Sequence, residues 1–133
     1  MSKVILAGVM ALVVCLGLGY AWGASGRGAA EDALADARRQ VDLAEARGRL
    51  LDARVSLYNN NFGDASRGFE DAKDPLGRVR DRYRDEGRRD AASGIEKALQ
   101  RIDEAQRLSG KLDQAANTKA AEALDAIRDA TER

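Results

Sequence analysis

Hydrophobic and polar residues are distributed very unevenly along this chain. Residues 4–22 form an apolar run that contains no charged or amide side chain. At about 1.5 Å per residue this run would make a helix roughly 28 Å long, close to the hydrocarbon thickness of a bilayer, about 30 Å. The pattern therefore predicts an N-terminal transmembrane segment or signal anchor over residues 1–23, followed by a polar remainder.

The flanks of the apolar run predict its orientation and its fate. Lys3 precedes the run, and the next basic residue is Arg27. By the positive-inside bias we expect a single-pass cell-membrane protein whose polar domain is extracytoplasmic, in the periplasm of a bacterial envelope. The run is longer than the core of a usual signal peptide, which favours an uncleaved anchor; cleavage before Ala24 and lipid attachment at Cys15 are the alternatives.

Small residues recur every four positions along the apolar run and therefore share one face of the predicted helix. A face of this kind lets two helix backbones approach closely. We expect this face to pack against another membrane helix, and its members are Ala7, Ala11, Cys15, Gly19 and Gly23.

Beyond the apolar run, the composition predicts a flexible linker over residues 24–28 and an all-α domain over residues 29–133. The chain has one Pro, many Ala and 33% charged residues, which together favour helix. Asn, Gly and Asp-Pro mark the expected boundaries, because they tolerate left-handed backbone or begin helices. The expected breaks are residues 59–63, Pro75, Gly87 and residues 109–110. Helices are expected to begin at Ala29, Ala65, Pro75 and Lys111, and a further helix is expected to be capped by Asp90. In the last helix we expect one buried side made of Leu112, Ala116, Ala120, Ala123, Ile127 and Ala130.

The first polar helix carries apolar residues at alternating spacings of three and four, which is typical of a coiled-coil seam. Its early half could form a stalk or a weak coiled-coil dimer, and its later half is expected to pack within the domain. The seam consists of Leu34, Ala37, Val41, Ala44, Gly48, Leu51, Val55 and Tyr58, and a second stripe adds Leu43, Leu50 and Leu57.

A nine-residue pattern occurs twice in the polar domain. Residues 64–72 and residues 90–98 both follow the form D-A-x-x-G-φ-E-x-A, where φ is Phe69 or Ile95. Small residues let a neighbouring helix come close, while the large residue fills the remaining gap. The repetition predicts two helix pairs with similar packing.

Residues 51–75 resemble the tetratricopeptide family. The resemblance rests on a turn followed by small and aromatic residues at helical spacing, namely Asn60, Asn61, Phe62, Ala65, Phe69, Ala72 and Pro75. The chain departs from the family where Asn60 replaces a Gly, and the internal spacing of 26 residues is shorter than the repeat of about 34. A weaker second copy extends to Ala105. The resemblance implies helical hairpins (TPR-like) stacked into a protein-binding surface without catalysis.

The charge balance and the residue types of the chain disfavour several classes of function. The chain has 22 basic and 22 acidic residues and no His, and its one Cys lies in the apolar run. This balance disfavours nucleic-acid binding, and the residue types offer no metal site, no cofactor site and no catalytic base. Adjacent carboxylates are expected to form salt bridges with neighbouring Arg residues. Arg80, Tyr83 and Arg84 are candidate partner-binding residues, because Arg and Tyr are enriched at binding hot spots.

Taken together, these patterns predict a non-catalytic, membrane-anchored helical adaptor or scaffold. Its expected partners are other proteins of a membrane or envelope assembly, with a homo-oligomer as a possibility. The alternative is a stalk or accessory subunit of a membrane complex, because an N-terminal span followed by an Ala- and Arg-rich helix resembles the b subunit of ATP synthases.

Overall fold

The computed structural model describes the backbone of residues 2–132 and the side chains of residues 28–132. It contains four helices, α1 (Ser2–Tyr58), α2 (Phe62–Asp85), α3 (Arg89–Ser109) and α4 (Ala115–Thr131), and no strand within the described residues. The all-α prediction is confirmed. The chain divides into two compact units, Met1–Ala37 and Arg38–Arg133.

The predicted transmembrane segment falls outside the residues whose side chains are described. The same holds for its small-residue face and for nearly all of the predicted linker. Between residues 28 and 132, no helix has the length and apolar character needed to cross a bilayer. Helix α1 continues through Ala29, where the sequence predicts a helix start.

The second unit is a bundle of four helices in which each helix runs antiparallel to its neighbours. Gly68 near the start of α2 lies against Ala53 near the end of α1. Gly94 near the start of α3 lies against Ala130 near the end of α4. Short connections of three to five residues produce this up-down order, as in other four-helix bundles. The core is made mostly of alanine, with larger side chains such as Phe69 between the layers.

Helix α1 contributes to the core through one stripe and leaves the opposite stripe in solvent. The buried stripe also follows spacings of three and four, and consists of Leu43, Ala46, Leu50, Ala53 and Leu57. The expectation that the later half of the a/d seam packs within the domain is wrong for Leu51, Val55 and Tyr58, which are exposed. Both stripes have the same period, so spacing alone did not distinguish them; the leucines of the second stripe fill more of the core.

The start of α2 differs from the predicted start by three residues, and the predicted break at Pro75 is absent. Asn61 is the N-cap, and its side chain accepts a hydrogen bond from the backbone N–H of Asp64. Pro75 lies inside α2, where it has no N–H to donate to the carbonyl of residue 71. Its ring is buried in the core, and this burial offsets part of the lost hydrogen bond.

The remaining boundaries follow the predicted breaks at Gly87 and Gly110, but α4 begins four residues late. Gly87 adopts a positive φ of 72°, and Gly110 is the C-cap of α3. Leu112 has a positive φ of 58° and is 70% exposed, so its predicted place on the buried side is wrong. The other five predicted positions of this helix are buried as expected: Ala116, Ala120, Ala123, Ile127 and Ala130.

Candidate functional site

A buried carboxylate lies between α1 and α2. Asp42 is almost fully buried, and its two oxygens accept hydrogen bonds from two arginines of α2. Arg78 Nη2 lies 2.8 Å from Oδ1, and Arg82 Nη1 lies 2.7 Å from Oδ2. The hydrogen bond from Arg78 to Asp42 raises the pKa of that guanidinium above its ordinary value. Two cations compensate the one buried charge, which makes this cluster a structural clamp between helices rather than a free binding site.

Tyr83 is buried, although the sequence predicts it as a surface contact. The guanidinium carbon of Arg88 lies 4.6 Å from the centre of the Tyr83 ring, and that of Arg39 lies 5.3 Å away. Both distances fall within the range of cation–π contacts. Arg39 Nη1 also donates to Glu86 Oε1 at 2.7 Å. Two guanidinium groups therefore contact a ring that is almost fully buried.

Arg80 and Arg84 lie on the surface and share an acidic partner on α3. Arg80 Nη1 is 3.2 Å and Arg84 Nη2 is 3.4 Å from Glu96 Oε2. The hydrogen bond from Arg80 lowers the pKa of Asp81 below its ordinary value. The structure therefore places two of the predicted binding residues together at the α2–α3 boundary, and places the third, Tyr83, in the core.

A second ion-pair network joins α2 to α3 nearer the other end of the bundle. Lys73 Nζ lies 2.7 Å from Asp103 Oδ1 and 3.0 Å from Glu70 Oε2. Partial burial opposes protonation of Lys73, but its hydrogen bonds to Asp103 and Glu70 outweigh that effect and raise its pKa. A hydrogen bond from Gln106, followed by that from Lys73, lowers the pKa of Glu70. Charges here hold the helices together and leave no isolated reactive group.

The described side chains form no cluster with the chemistry of a metal site, and the groove between α1 and α2 is charged. From residue 28 to residue 132, no group of three acidic, Cys or His residues comes close enough to hold a metal ion. Every buried side-chain nitrogen or oxygen in the same range has a hydrogen-bond partner. The groove between α1 and α2, of about 350 Å³, is lined by charged residues such as Glu45, Arg49 and Asp71. Small-molecule sites are usually concave and mostly apolar, so this charged groove does not have the character of such a site.

The most distinctive surface feature is the exposed stripe of α1, which we call the α1 seam. In the second unit it comprises Val41, Ala44, Gly48, Leu51, Val55 and Tyr58. Four of these side chains are large and at least half exposed: Val41 at 64%, Leu51 at 50%, Val55 at 58% and Tyr58 at 67%. A row of large apolar side chains on one helical face marks an interaction surface more often than scattered exposed residues do.

Sequence reasoning identified the residues of the α1 seam but missed the buried acid Asp42. Asp42 precedes the core residue Leu43, and α2 carries an arginine at every second position from Arg78 to Arg84. A charged residue on a core-facing side, opposite such a helix, is the signal that could have predicted the clamp.

Comparison with known proteins gives no match from which a function could be inferred. The function is therefore inferred from the surfaces described above. No family model matches the chain, and it matches neither a curated protein nor a solved structure.

Proposed function

We propose that this protein is a membrane-anchored, non-catalytic helical adaptor. Residues 1–23 hold it in the cell membrane, and the bundle lies on the extracytoplasmic side, where it binds other proteins of a membrane or envelope assembly. The observation that carries the proposal is the α1 seam, a solvent-exposed apolar helix face on a bundle whose charged clusters are largely occupied by internal ion pairs. Exposed apolar helix faces bind other helices in many recognition complexes.

The bundle also supports a TPR-like assignment of its α1–α2 hairpin. The small and aromatic residues that carry the resemblance in α2, namely Ala65, Phe69 and Ala72, are all buried. Pro75 is buried too, but it lies inside α2 and does not close the helix. In tetratricopeptide repeats the equivalent small and aromatic residues pack the two helices of a hairpin. Under this proposal the bundle displays its outer helix faces to partner proteins. Arg80 and Arg84 contact the partner through the guanidinium N–H groups that their ion pairs with Glu96 leave over.

Membrane attachment is tested by fractionation of cells that produce the full chain. We expect the protein in the membrane fraction, resistant to extraction at alkaline pH. In spheroplasts, whose outer membrane has been removed, we expect a C-terminal tag to be digested by added protease. A variant with Leu12→Arg and Val14→Arg should be extracted, because charges near the centre of a span cost about 2.5–3.5 kcal/mol each. Extraction of the unaltered chain would refute the anchor, and a tag protected from external protease would refute the orientation.

Partner binding is tested by affinity capture of the full chain from native membranes. We expect a defined envelope protein to be retained by the unaltered chain and lost when Arg80 and Arg84 are both changed to Glu. Arg128→Glu is the control for Arg84: both side chains are more than half exposed, and Arg128 pairs with Asp125 on α4. Retention that is equal in all three proteins would refute the role of Arg80 and Arg84, and no retention at all would refute the adaptor.

The length of α1 favours a second candidate, a stalk or accessory subunit of a membrane complex. This helix runs unbroken for 57 residues, as a stalk similar to the ATP synthase b subunit would. The breaks after Tyr58, Asp85 and Ser109 favour the adaptor instead, because they fold the chain back into a bundle. The protease experiment separates the two: a b-like stalk requires the C-terminal domain in the cytoplasm.

A further inference from the structure

We propose that the α1 seam is a dimer interface that pairs, in parallel, with the α1 seam of a second copy of this chain. The proposal deepens the adaptor function by assigning an occupant to its exposed apolar face, and it rests on that function only in naming the face as a binding surface. The occupant follows from the two apolar faces of α1, from the heptad order of its residues and from the charges beside the seam.

Helix α1 is apolar on two opposite faces in the second unit. The stripe through Leu43, Leu50 and Leu57 lies in the core, while the α1 seam points away from the bundle. A helix that is apolar on both sides is normally covered on both sides. Since the bundle covers only one of them, a second copy can approach the other side without displacing α2, α3 or α4.

The α1 seam has heptad spacing, and three of its six positions carry the residue types of a two-stranded coiled coil, namely Val41, Leu51 and Val55. Val41, Gly48 and Val55 occupy a positions, and Ala44, Leu51 and Tyr58 occupy d positions. β-Branched residues at a combined with Leu at d favour two parallel strands. The small central residues Ala44 and Gly48 let the two backbones approach closely. A two-fold axis makes the seam self-complementary, because each residue then meets its own copy.

Charges beside the seam favour the parallel pairing over the antiparallel one. In a parallel pair each g residue faces the e residue five positions later on the other helix, so Arg47 faces Asp52 of the second copy. An antiparallel pair that aligns the seam along its full length, from Leu34 to Tyr58, places Val41 of one helix opposite Leu51 of the other. In that register Arg47 faces Arg47 of the second copy, and Glu45 faces Glu45 of the second copy. Like charges at these positions are repulsive, so the antiparallel pair is disfavoured.

The groups required for the Arg47–Asp52 pair are available in the single chain. Asp52 is exposed and has no ion pair with any residue of the described part of the chain. Arg47 uses Nη2 to donate to Thr131 Oγ1 at 3.1 Å, and a guanidinium has five N–H donors in all. One donor therefore binds α4, and others remain to meet the carboxylate of the second copy.

The experiment uses the full chain with Cys15→Ser, purified in detergent and treated with a mild oxidant. We expect Leu51→Cys to form a disulfide-linked dimer, because residues that face each other across a parallel seam lie within disulfide range. Gln100→Cys is the control: this residue is exposed on α3, away from the seam, and we expect no dimer. Antiparallel seams would instead link Val41→Cys to Leu51→Cys in mixed samples and neither variant to itself, which would overturn the parallel arrangement.

A second pair of variants separates the seam from any contact made by residues 1–27. Val55→Glu should raise the dimer dissociation constant at least tenfold while the helical circular dichroism is unchanged, because Val55 is exposed and contributes little to the core. Asp52→Arg should weaken the dimer by a smaller factor, which salt reduces. A dimer that withstands Val55→Glu and gives no crosslink at Leu51→Cys would overturn the proposal.

These results are distinguishable from those for the adaptor function. Crosslinking at Leu51→Cys without any captured envelope protein would support the dimer and refute the adaptor. Capture of an envelope protein by a chain that does not crosslink, and whose mass is that of a monomer, would support the adaptor and overturn the dimer.

Discussion

Single residues in the core differ widely in how much the bundle depends on them. Phe69 is fully buried on α2, while Phe62 at the start of the same helix is only partly buried. The two phenylalanines are the only ones in the chain, so they compare the same side chain in two environments.

Phe69→Ala should destabilise the bundle by about 3–5 kcal/mol, because it removes a buried aromatic ring and leaves a cavity. Phe62→Ala is the control and should cost clearly less. The measurement is urea-induced unfolding followed by circular dichroism. A loss below about 1 kcal/mol for Phe69→Ala would show that the ring does not fill the core.

Asp42→Asn should cost about 1–3 kcal/mol, since it leaves Arg78 and Arg82 without the buried carboxylate that accepts their hydrogen bonds. Both arginines are partly exposed, and water moderates the loss. Asp71→Asn provides the comparison: Asp71 is more than half exposed and lies 3.9 Å from Arg49, so we expect a change within about 0.5 kcal/mol. Equal effects in the same unfolding assay would contradict the clamp.

At the scale of helices, the repeated D-A-x-x-G-φ-E-x-A pattern places a glycine at each of two close helix contacts. A Cβ added to Gly68 would lie 3.0 Å from the Cβ of Ala53 on α1, and one added to Gly94 would lie 2.6 Å from that of Ala130 on α4. The two copies of the pattern therefore have the same role. The copy on α2 lets α1 approach closely, and the copy on α3 lets α4 approach closely.

Gly94→Ala should destabilise the bundle by about 1–3 kcal/mol, because the added methyl group forces α3 and α4 apart. Gly77→Ala is the matched control, also a helical glycine but with open space around it, and it should stabilise by about 0.5–1 kcal/mol. Thermal unfolding of both variants provides the test. A stabilised Gly94→Ala protein would contradict the close contact.

Helix ends were more predictable than helix faces, for physical reasons that individual residues illustrate. Asn60 and Gly87 end helices with positive φ values of 56° and 72°, and both residue types adopt that conformation at low cost. Pro75 was misinterpreted because its burial, a tertiary effect, outweighs its local preference to begin a helix. The spacing of residues also could not predict that the α1 seam is exposed, because the buried stripe of α1 has the same period.

Across the whole molecule, ion pairs link the helices at many points, and several of them depend on carboxylates that must be ionised. Hydrogen bonds from Gln106 and Lys73 lower the pKa of Glu70 below its ordinary 4.5, and a hydrogen bond from Lys119 lowers that of Glu122. Each group therefore binds protons less readily in the folded chain than in the unfolded chain. Its stabilising effect is complete above the unfolded pKa and is lost as the pH falls through the folded pKa.

We therefore expect the free energy of unfolding to be nearly constant from pH 7 to about pH 5 and to decline below about pH 4.5. Glu122→Gln should reduce the steepness of that decline, whereas Glu132→Gln, at an exposed position after α4, should not. Urea titrations at several pH values provide the measurement. An unchanged decline in the Glu122→Gln protein would show that the pair with Lys119 does not contribute.

The alanine-rich core has a consequence for how this sequence can change over evolutionary time. More than half of the buried apolar residues between positions 28 and 132 are alanines, and they lie where helices approach closely. A larger side chain at such a place would separate two helices, and a deletion of the methyl group would weaken a helix by about 1 kcal/mol. These positions are therefore restricted to Ala, Gly and Ser during sequence drift. Mutations should accumulate instead on the outer faces of α2, α3 and α4.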